Sequence, residues 1–445
     1  MEQLCYIYEA QRSRLMDCTL QIFLDDRWVD CAQIELDGRL CQWNYQVMYA
    51  VEHTDASLSL AEPVDMDIRA ARTMPAFLYD LVPQGAGRRF LLGELELADG
   101  PDADFPLICT GAFNPVGRIR VAEAVRYFET HVARHPASRG LPGLTMDDVM
   151  ARSAEFAERM RLHGMLGTGT TGVQGAAPKY LLTRDRAGLL HGDAVLPDAD
   201  ATQHLIAKLP RGKTAADEKV LRNEAAYMRV AAALGIRTHA DLPTLHGDVL
   251  LIPRFDRIAR NGSVVRLHQE SVASILGLSG FDRRPSLFEV VAGIRRVVTD
   301  PAAETLEFLK RDVLNLAMRN TDNHARNTAV QLVDGTVRLT PLFDFAPMYL
   351  DPEGVARTLR WYHPDTQVEL GEWGDVLAAL SLPDDERRAL ARAMSRFGAQ
   401  LERLAGIMEK HGVDHDIVEF LTPSIDAQVR QLKALQPPES PHAAP

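Results

Sequence analysis

The chain of 445 residues is poor in lysine, which supplies only seven of its 49 basic residues and first occurs at Lys179. No apolar run approaches the roughly 20 residues of a membrane-spanning helix. The first residues, MEQLCYIYEAQRSR, lack the basic and apolar regions of a secretory signal peptide. We therefore expect a cytoplasmic protein that makes no contact with membranes.

Cysteine is scarce as well. The five cysteines all lie within the first 109 residues, their number is odd, and no two have CxxC spacing. A long intracellular chain does not need disulfide bonds to hold its core together. We expect reduced thiols and no cysteine-bound zinc.

Positive charge is missing mainly from the N-terminal quarter. Residues 1–110 contain 19 acidic residues against eight arginines and no lysine, a local balance of −11, whereas the whole chain carries −12. A protein that wraps nucleic acid over its whole surface needs an extended positive field. That class is therefore excluded, although residues 253–299 carry a local balance of +4 that could face substrate, phosphate or DNA, or be an ordinary solvated face.

The hydrophobic pattern predicts an α+β protein of two to three domains, since 46% of the residues are hydrophobic. Residues 17–50 read as short strands with a turn at Asp37-Gly38. Helices are predicted at 121–134 and at 147–163, the latter capped by Asp147. The stretch 99–106 reads as a turn-rich connector.

In the second half of the chain, the hydrophobic pattern changes from mixed strands and helices to mainly helices. The segments KYLLT, HLIAKLP and LLIPRFDR read as strands, and an alanine-rich helix is predicted at about 217–234. From residue 285 the pattern is mostly helical, apart from the runs TAVQLV and VRLTPLF around Asp334-Gly335. Helices are expected over 368–433 and a disordered tail at the C-terminus.

The strongest candidate for a chemical site is NTDNHARN, residues 320–327, followed by Asp344 in LFDF. Phosphoryl transfer from ATP needs a carboxylate to orient or accept the attacking hydroxyl, and a carboxamide and second carboxylate to hold Mg²⁺. Asp322 precedes Asn327 by five residues, as in the catalytic loop of protein kinases, and Asp344 follows a predicted hairpin. We assign Asp322 as catalytic, Asn327 and Asp344 as metal ligands, and His324 as a supporting residue. The alternative is a helix end capped by Asn and Asp side chains.

A glycine-rich segment, GTGTTG at residues 167–172, has GxGxxG spacing. A helix-like stretch precedes it, and Pro178 and a strand follow, which differs from a dinucleotide-binding turn. Backbone N–H groups near Gly169 and Gly172 are therefore expected to fold over phosphates. A plain linker is the alternative.

A lysine on a predicted strand and a glutamate on the following predicted helix occur in the same order along the chain as in protein kinases. Lys208 lies in HLIAKLP and would bind phosphates, while Glu224 in the following helix would position it. The alternatives are an edge-strand lysine that reaches solvent and a solvated helix face. Pro253 and Phe255 follow an apolar strand and are candidates for a hinge that binds adenine through backbone groups, with Pro253 offering only a carbonyl.

Together these motifs resemble the HipA family of serine/threonine-kinase toxins over about residues 17–435. The segments that carry the resemblance are FLYDLVPQGAGRR, TTGVQGAAPKYLL, HLIAKLP, NEAAYMRVAAALGI, RFDR, RLHQES, LNLAMRNTDNHARN and LTPLFDFAP.

The resemblance implies a two-lobed protein-kinase-like fold of the α+β class, with an extra N-terminal β-containing subdomain and a mainly helical C-terminal lobe. The corresponding boundaries are 1–125 for the subdomain, 126–256 for the region like a kinase N-lobe, 257–436 for the catalytic lobe and 437–445 for the tail. ATP and Mg²⁺ would be the cofactors. The acidic first quarter would then be a docking or specificity surface.

The family further implies autophosphorylation in the glycine-rich segment, for which Thr170 and Thr171 are the candidate acceptors. It implies a protein substrate, which in family members is an aminoacyl-tRNA synthetase, and a helix-turn-helix antitoxin through which DNA would be reached. Two departures are the longer connection before Pro178 and Ser271, which stands where Asp is usual and could remove one contact. A small-molecule kinase and an antitoxin-docking module with weak catalysis remain as alternatives.

Overall fold

A computed structural model describes residues 16–38, 40–134, 142–151, 178–210, 212 and 214–435. These residues form two compact units. One contains the described residues up to Leu209 together with Leu251–Arg283, and the other contains Pro210–Leu250 together with the described residues from Arg284 onward.

The described chain contains both strands and helices. The strands are β1 Met16–Leu24, β2 Arg27–Asp37, β3 Leu40–Tyr45, β4 Arg69–Ala71, β5 Ile119–Val121, β6 Lys179–Arg184, β7 Leu190–Gly192, β8 Gln203–Lys208, β9 Thr244–His246, β10 Val249–Pro253, β11 Arg257–Arg260, β12 Ser263–Arg266, β13 His268–Ser271, β14 Ala329–Val333 and β15 Thr336–Leu339. The helices are α1 Val47–Glu52, α2 Gly85–Glu94, α3 Asp104–Gly111, α4 Ala122–Arg134, α5 Met146–Met150, α6 Ala215–Ala233, α7 Val272–Ile275, α8 Leu287–Val297, α9 Pro301–Ala317, α10 Trp373–Ala379, α11 Asp384–Leu401, α12 Leu404–Lys410 and α13 His415–Lys433.

The first unit begins with an antiparallel sheet in the order β4-β3-β2-β1-β5. Side chains of β1 alternate, so that Cys18, Leu20 and Ile22 are fully buried in the core, as a half-buried strand requires. Asp25 and Asp26, which join β1 to β2, both have left-handed φ angles, 48° and 59°, as a two-residue type I′ hairpin turn demands. The strands predicted over 17–50 are confirmed up to Tyr45, but residues 47–50 belong to helix α1, and Asp37 is the last residue of β2 and pairs with Leu40.

In the same unit, β6 pairs antiparallel with both β7 and β8, and β10 is the other neighbour of β8 in the strand order. This pairing confirms the strands predicted from KYLLT and HLIAKLP. The chain then enters the hairpin of β11 and β12. Residues Lys179–Thr183 are all buried, so both faces of β6 are covered.

The second unit is mainly helical. Helix α6 begins at a capping box, in which the Thr214 side chain and Asp217 each accept a hydrogen bond from the other's backbone N–H. Helix α9 leads into residues 318–328, and the hairpin of β14 and β15 follows with Asp334 and Gly335 at φ 48° and 75°. That predicted hairpin is confirmed, as are helices after residue 373.

Some predicted boundaries are wrong. Thr145, not Asp147, caps α5, because the Thr145 hydroxyl accepts the Asp148 N–H at 3.2 Å. Strand β15 ends at Leu339, because the Leu342 N–H donates to the Arg237 carbonyl oxygen instead of to a strand partner. The connector predicted at 99–106 already contains the start of α3.

No helix within the described ranges is long and apolar enough to cross a membrane. The predicted helix beyond residue 151 and the predicted disordered tail lie outside the described residues.

Candidate active site

Residues 319–328 and the loop after β15 line one pocket of the second unit, with a volume of about 420 Å³ including its opening to solvent. The pocket brings together Asp322, Asn327 and Asp344, which are 22 residues apart in sequence at most. Carboxylate and carboxamide oxygens are the ligands that Mg²⁺ prefers. The donor set of the pocket therefore fits a magnesium-bound phosphate.

The loop that carries Asp322 is folded back on itself. The Asn327 side-chain amide donates to the Asp322 carbonyl oxygen at 2.8 Å, and the Asn327 N–H donates to the His324 carbonyl oxygen at 2.9 Å. This side-chain hydrogen bond orients the Asn327 carboxamide, whose oxygen is the atom that can bind a cation, since the N–H₂ group is a donor only. The imidazole Nε2 of His324 lies 3.6 Å from the Asp322 carboxylate, which agrees with a supporting role.

Asp344 has a left-handed backbone, with φ of 53°. Asp tolerates this conformation better than most residues do, at a cost in backbone energy that the surroundings must offset. The next residue, Phe345, is fully buried and its ring packs against that of Tyr227 with centroids 5.3 Å apart. The buried phenyl ring thus fixes the turn that presents the Asp344 carboxylate.

Tyr227 on α6 supports both loops of the pocket. Its hydroxyl donates to the carbonyl oxygen of Met318 at 3.1 Å, immediately before residues 319–328, while its ring contacts Phe345. The side chain is fully buried, and burial raises the pKa of its phenol well above the ordinary value. One tyrosine therefore couples the position of the Asp322 loop to that of the Asp344 loop.

Asp312 is a buried carboxylate that the sequence motifs did not reveal. It accepts hydrogen bonds from three donors, Asn323 Nδ2 at 3.3 Å, Arg357 Nη2 at 2.6 Å and the Trp361 indole at 2.9 Å. These bonds join α9 to the loop of Asp322 and to the segment that follows Asp344. We call this set of four side chains the Asp312 clamp.

A sequence signal for the clamp does exist. Asp312 lies four residues after Phe308 and next to Val313, on the apolar side of α9, where both hydrophobic neighbours are buried. A charged residue on an apolar helix face must find buried partners. The pattern thus identifies a buried carboxylate but cannot identify its partners, which come from residues 323 and 357–361.

Asp312→Asn is expected to lower the free energy of unfolding by about 2 kcal/mol, because the new amide N–H₂ faces donors and leaves at least one of them unpaired in the interior. Urea unfolding at neutral pH measures the loss. Asp426→Asn, at an exposed position of α13, is the matched control and should change stability little. If the two substitutions lowered the free energy of unfolding equally, the Asp312 clamp would contribute nothing to stability.

Lys208 and Glu224 are both buried, with 8% and 1% of their surfaces exposed. Lys208 lies on β8, which has a strand on each side, so it is not an edge-strand lysine, and Glu224 does not lie on a solvated helix face. Both of these alternatives are wrong. Lys208 belongs to the first unit, and Glu224 belongs to the second but is not among the residues that line its pocket.

Pro253 ends β10, and Phe255 follows within the RFDR segment of the first unit. The charged residues of RFDR are buried in an ion network. Asp256 accepts hydrogen bonds from Arg254 at 2.7 and 3.0 Å and from Arg257 at 2.5 Å, and Arg254 also donates to Asp193 at 2.6 Å. The assignment of Pro253 and Phe255 to an adenine hinge stays a prediction.

The network extends to the N-terminal sheet region and to β8. Asp256 accepts the Gly117 N–H at 2.9 Å, and Asp193 accepts from His204 at 2.6 Å. Although burial opposes ionisation, the neighbouring arginines hold the pKa of both carboxyls well below the usual range. The RFDR segment is therefore a structural tie within its unit.

At least four of the eight arginines in residues 253–299 form ion pairs with acidic side chains of the protein. They are Arg254 and Arg257 in the ion network, Arg266 with Asp198, and Arg295 with Glu386. Because the positive charge of these arginines is neutralised within the protein, a structural role for residues 253–299 is favoured over a continuous DNA-binding surface.

Ser271 makes two hydrogen bonds. Its hydroxyl donates to Asp80 at 2.7 Å and accepts the Ser274 N–H at 3.1 Å, so that it caps α7. The expected loss of one contact at this position stays a prediction. Gly169, Thr170, Thr171 and Gly172 lie outside the described residues.

The α+β fold, with its β-containing first unit, mainly helical second unit and carboxylate-lined pocket, is of the kinase-like type. A model of the HipA-like C-terminal domain family matches residues 171–411, more than half of the chain. The chain therefore belongs to the HipA-like family, as the sequence motifs predicted.

Two known proteins illustrate the similarity. Over 178 residues the chain is 30% identical to a Sinorhizobium fredii protein named "Putative kinase Y4mE", an alignment that covers 37% of this chain and only 40% of that relative's length. The solved structure of HipA from Shewanella oneidensis, in a complex with HipB and operator DNA, aligns with a TM-score of 0.63 and 19% identity over 94% of this chain and 97% of that one. At this identity the structural match establishes the fold.

Proposed function

We propose that the protein is an ATP-dependent serine/threonine protein kinase and the toxin of a type II toxin–antitoxin system. The observation that carries the proposal is the convergence of Asp322, Asn327 and Asp344 on one pocket. Their order and spacing match the parts of a phosphoryl-transfer site, in which catalysis rests on positioning and charge.

Each residue has a separate task in this proposal. The Asp322 carboxylate accepts or orients the proton of the attacking hydroxyl, at a site whose backbone is tied to the Asn327 side chain. Asn327 and Asp344 would hold Mg²⁺, which supplies charge neutralisation on the transferred phosphoryl group. Lys208 would bind nucleotide phosphates, and Glu224 would position it, as in protein kinases.

Two further parts of the proposal concern regulation and partners. Thr170 and Thr171 would accept phosphate from the enzyme itself, adding about −1.5 to −2 charge and thereby repelling nucleotide phosphates. The partner would be a DNA-binding antitoxin, by analogy with the HipB-bound complex of the Shewanella relative. The acidic residues 1–110 would suit docking of a basic partner in the cytoplasm.

The test is transfer of label from γ-labelled ATP by the purified full chain, with a cell lysate as substrate. Label should appear in proteins and in the enzyme itself, on serine or threonine, and excess EDTA should abolish it. Thr170→Ala with Thr171→Ala should remove the label on the enzyme while transfer to other proteins persists.

The alternatives predict different results in the same assay. A small-molecule kinase would label only metabolites, and a docking module with weak catalysis would label nothing while still binding its antitoxin. Either result would refute the protein-kinase proposal.

A further inference from the structure

Helix α11 and the turn after it carry a row of exposed arginines. The three on the helix are spaced by four residues and lie within about 80° of its circumference, since each residue turns the helix by about 100°. The opposite side of the helix is buried in the core, through Leu390, Met394, Phe397 and Leu401. We call the row the arginine face, and its members are Arg388, Arg392, Arg396 and Arg403.

No acidic side chain in the described part of the chain neutralises the arginine face. The ion pairs of α11 involve its other charged residues, Glu386 with Arg295 and Arg387 with Asp384. None of the four guanidinium groups of the face forms a hydrogen bond or an ion pair with another described residue. Since positions four apart on a helix are about 6 Å apart, these groups are arranged to bind a row of anionic groups.

The N-terminal sheet of the first unit presents the opposite charge. Asp17 on β1 lies directly opposite Glu35 on β2, and Asp37 is two residues further along β2. Because Cys18 and Ile34 point into the core and side chains alternate along a strand, the three carboxylates project from the face opposite the core. All three are exposed, and none forms an ion pair with a base within the described ranges. We call them the acidic face, whose like charges on neighbouring strands repel until a cation binds.

The two faces match in spacing as well as in sign. Successive outward positions on a strand are about 6.6 Å apart, close to the distance of about 6 Å between arginines four apart on a helix. Two successive arginines of α11 can therefore bind Glu35 and Asp37 together, with the bidentate geometry that arginine favours for carboxylates. Leu40 lies opposite Asp37 on β3 and is 43% exposed, so it adds an apolar contact beside the charges.

We propose that the arginine face of one copy of the chain binds the acidic face of a second copy. Contact between two different patches is heterologous, so copies join head to tail. The net charge of −12 opposes this association. At about 0.1 M salt, however, charges more than about 10 Å apart are largely screened, and attraction between the facing pairs outweighs the repulsion. The inference does not rest on the proposed function, since no residue of either face lines the candidate active site.

Sedimentation equilibrium of the full chain at about 0.1 M and about 1 M salt tests the association. The wild type should associate at the lower salt concentration, and its apparent Kd should rise at least about tenfold at the higher one. Arg392→Glu with Arg396→Glu should abolish association, and so should Glu35→Lys with Asp37→Lys. An equimolar mixture of the two double variants should associate again, because each supplies the intact face that the other lacks.

The matched control is Arg283→Glu with Arg284→Glu, which changes the net charge equally at two exposed arginines outside both faces. It should associate as the wild type does. Circular dichroism of each variant establishes folding, and Arg388→Glu with Arg403→Glu is a second helix variant in case the first does not fold.

Three results would each overturn the proposal. They are a wild type that stays monomeric at about 100 µM, a double variant of either face that still associates, and a mixture of the two double variants that does not. A duplex oligonucleotide that binds the wild type but not Arg392→Glu with Arg396→Glu, in the absence of self-association, would assign the arginine face to nucleic acid instead.

Discussion

Asp322→Asn is expected to reduce phosphoryl transfer by about 10³-fold, because the substitution removes the group that accepts the hydroxyl proton. The change is nearly isosteric, and the backbone carbonyl of residue 322 can still accept the Asn327 amide at 2.8 Å. The loop should therefore keep its fold. Initial rates with γ-labelled ATP measure the effect on kcat, and calorimetric titration measures nucleotide binding.

Kinetic measurements distinguish a carboxylate that acts on the hydroxyl from one that only binds the metal ion. If Asp322 acts on the hydroxyl, kcat falls while the affinity for MgATP changes by no more than about threefold. Asp365→Asn, at an exposed carboxylate of the same unit, is the control and should leave both quantities unchanged. A variant at 322 that kept more than a tenth of the wild-type rate would refute the assigned role.

Asp256→Asn is expected to destabilise the first unit by about 3–5 kcal/mol, because it leaves Arg254 and Arg257 buried without their shared counter-charge. Arg254 and Arg257 are 3% and 5% exposed, so water cannot replace the lost partner. Urea unfolding at pH 7 measures the loss. Asp198→Asn, which breaks the more exposed ion pair with Arg266, should cost less than about 1 kcal/mol.

The contribution of the ion network to the stability of the fold should decrease towards acid pH. The pKa values of Asp193 and Asp256 are lowered on folding, so both carboxylates stabilise the fold above their unfolded pKa of about 4. This contribution is lost as the pH falls below that value. The difference between wild type and Asp256→Asn should therefore shrink in acid. A difference that was equal at pH 3 and pH 7, or equal to that of Asp198→Asn, would contradict the assignment.

Local patterns were sufficient to predict most of the secondary structure. The hairpin at Asp334-Gly335 combines two residues that adopt positive φ with alternating apolar neighbours, so its signal is complete within about ten residues. The helix cap at Thr145 was missed because Asp147 and Thr145 are both good capping residues. Only the backbone geometry decides between them.

The candidate site was predictable where its chemistry is local and not where it depends on tertiary contacts. Asp322 and Asn327 share one loop, and Asp344 follows a recognisable hairpin, so spacing alone indicated all three. Tyr227 is different, because its roles depend on Met318 and Phe345, about 90 and 120 residues further along the chain. No sequence pattern records such a pairing.

The RFDR segment shows that a family signature need not be a catalytic one. Its arginines and aspartate contribute to the resemblance to the family, and the structure buries them in a network that joins Gly117, Asp193 and His204. A buried set of charges tolerates few substitutions, because every replacement leaves a partner unpaired. The charged residues of RFDR therefore stabilise the first unit, whereas NTDNHARN and LFDF contain the residues that we propose for catalysis and metal binding.

The hydrogen bond from Trp361 to Asp312 places a natural fluorophore at the base of the candidate site. The indole is 4% exposed, and its N–H donates to a carboxylate that also accepts a hydrogen bond from Asn323, the residue that directly follows Asp322. Since the chain has only four tryptophans, replacing the other three with phenylalanine leaves a single emitter. Its spectrum then reports on the conformation of the Asp322 loop directly, without an attached dye.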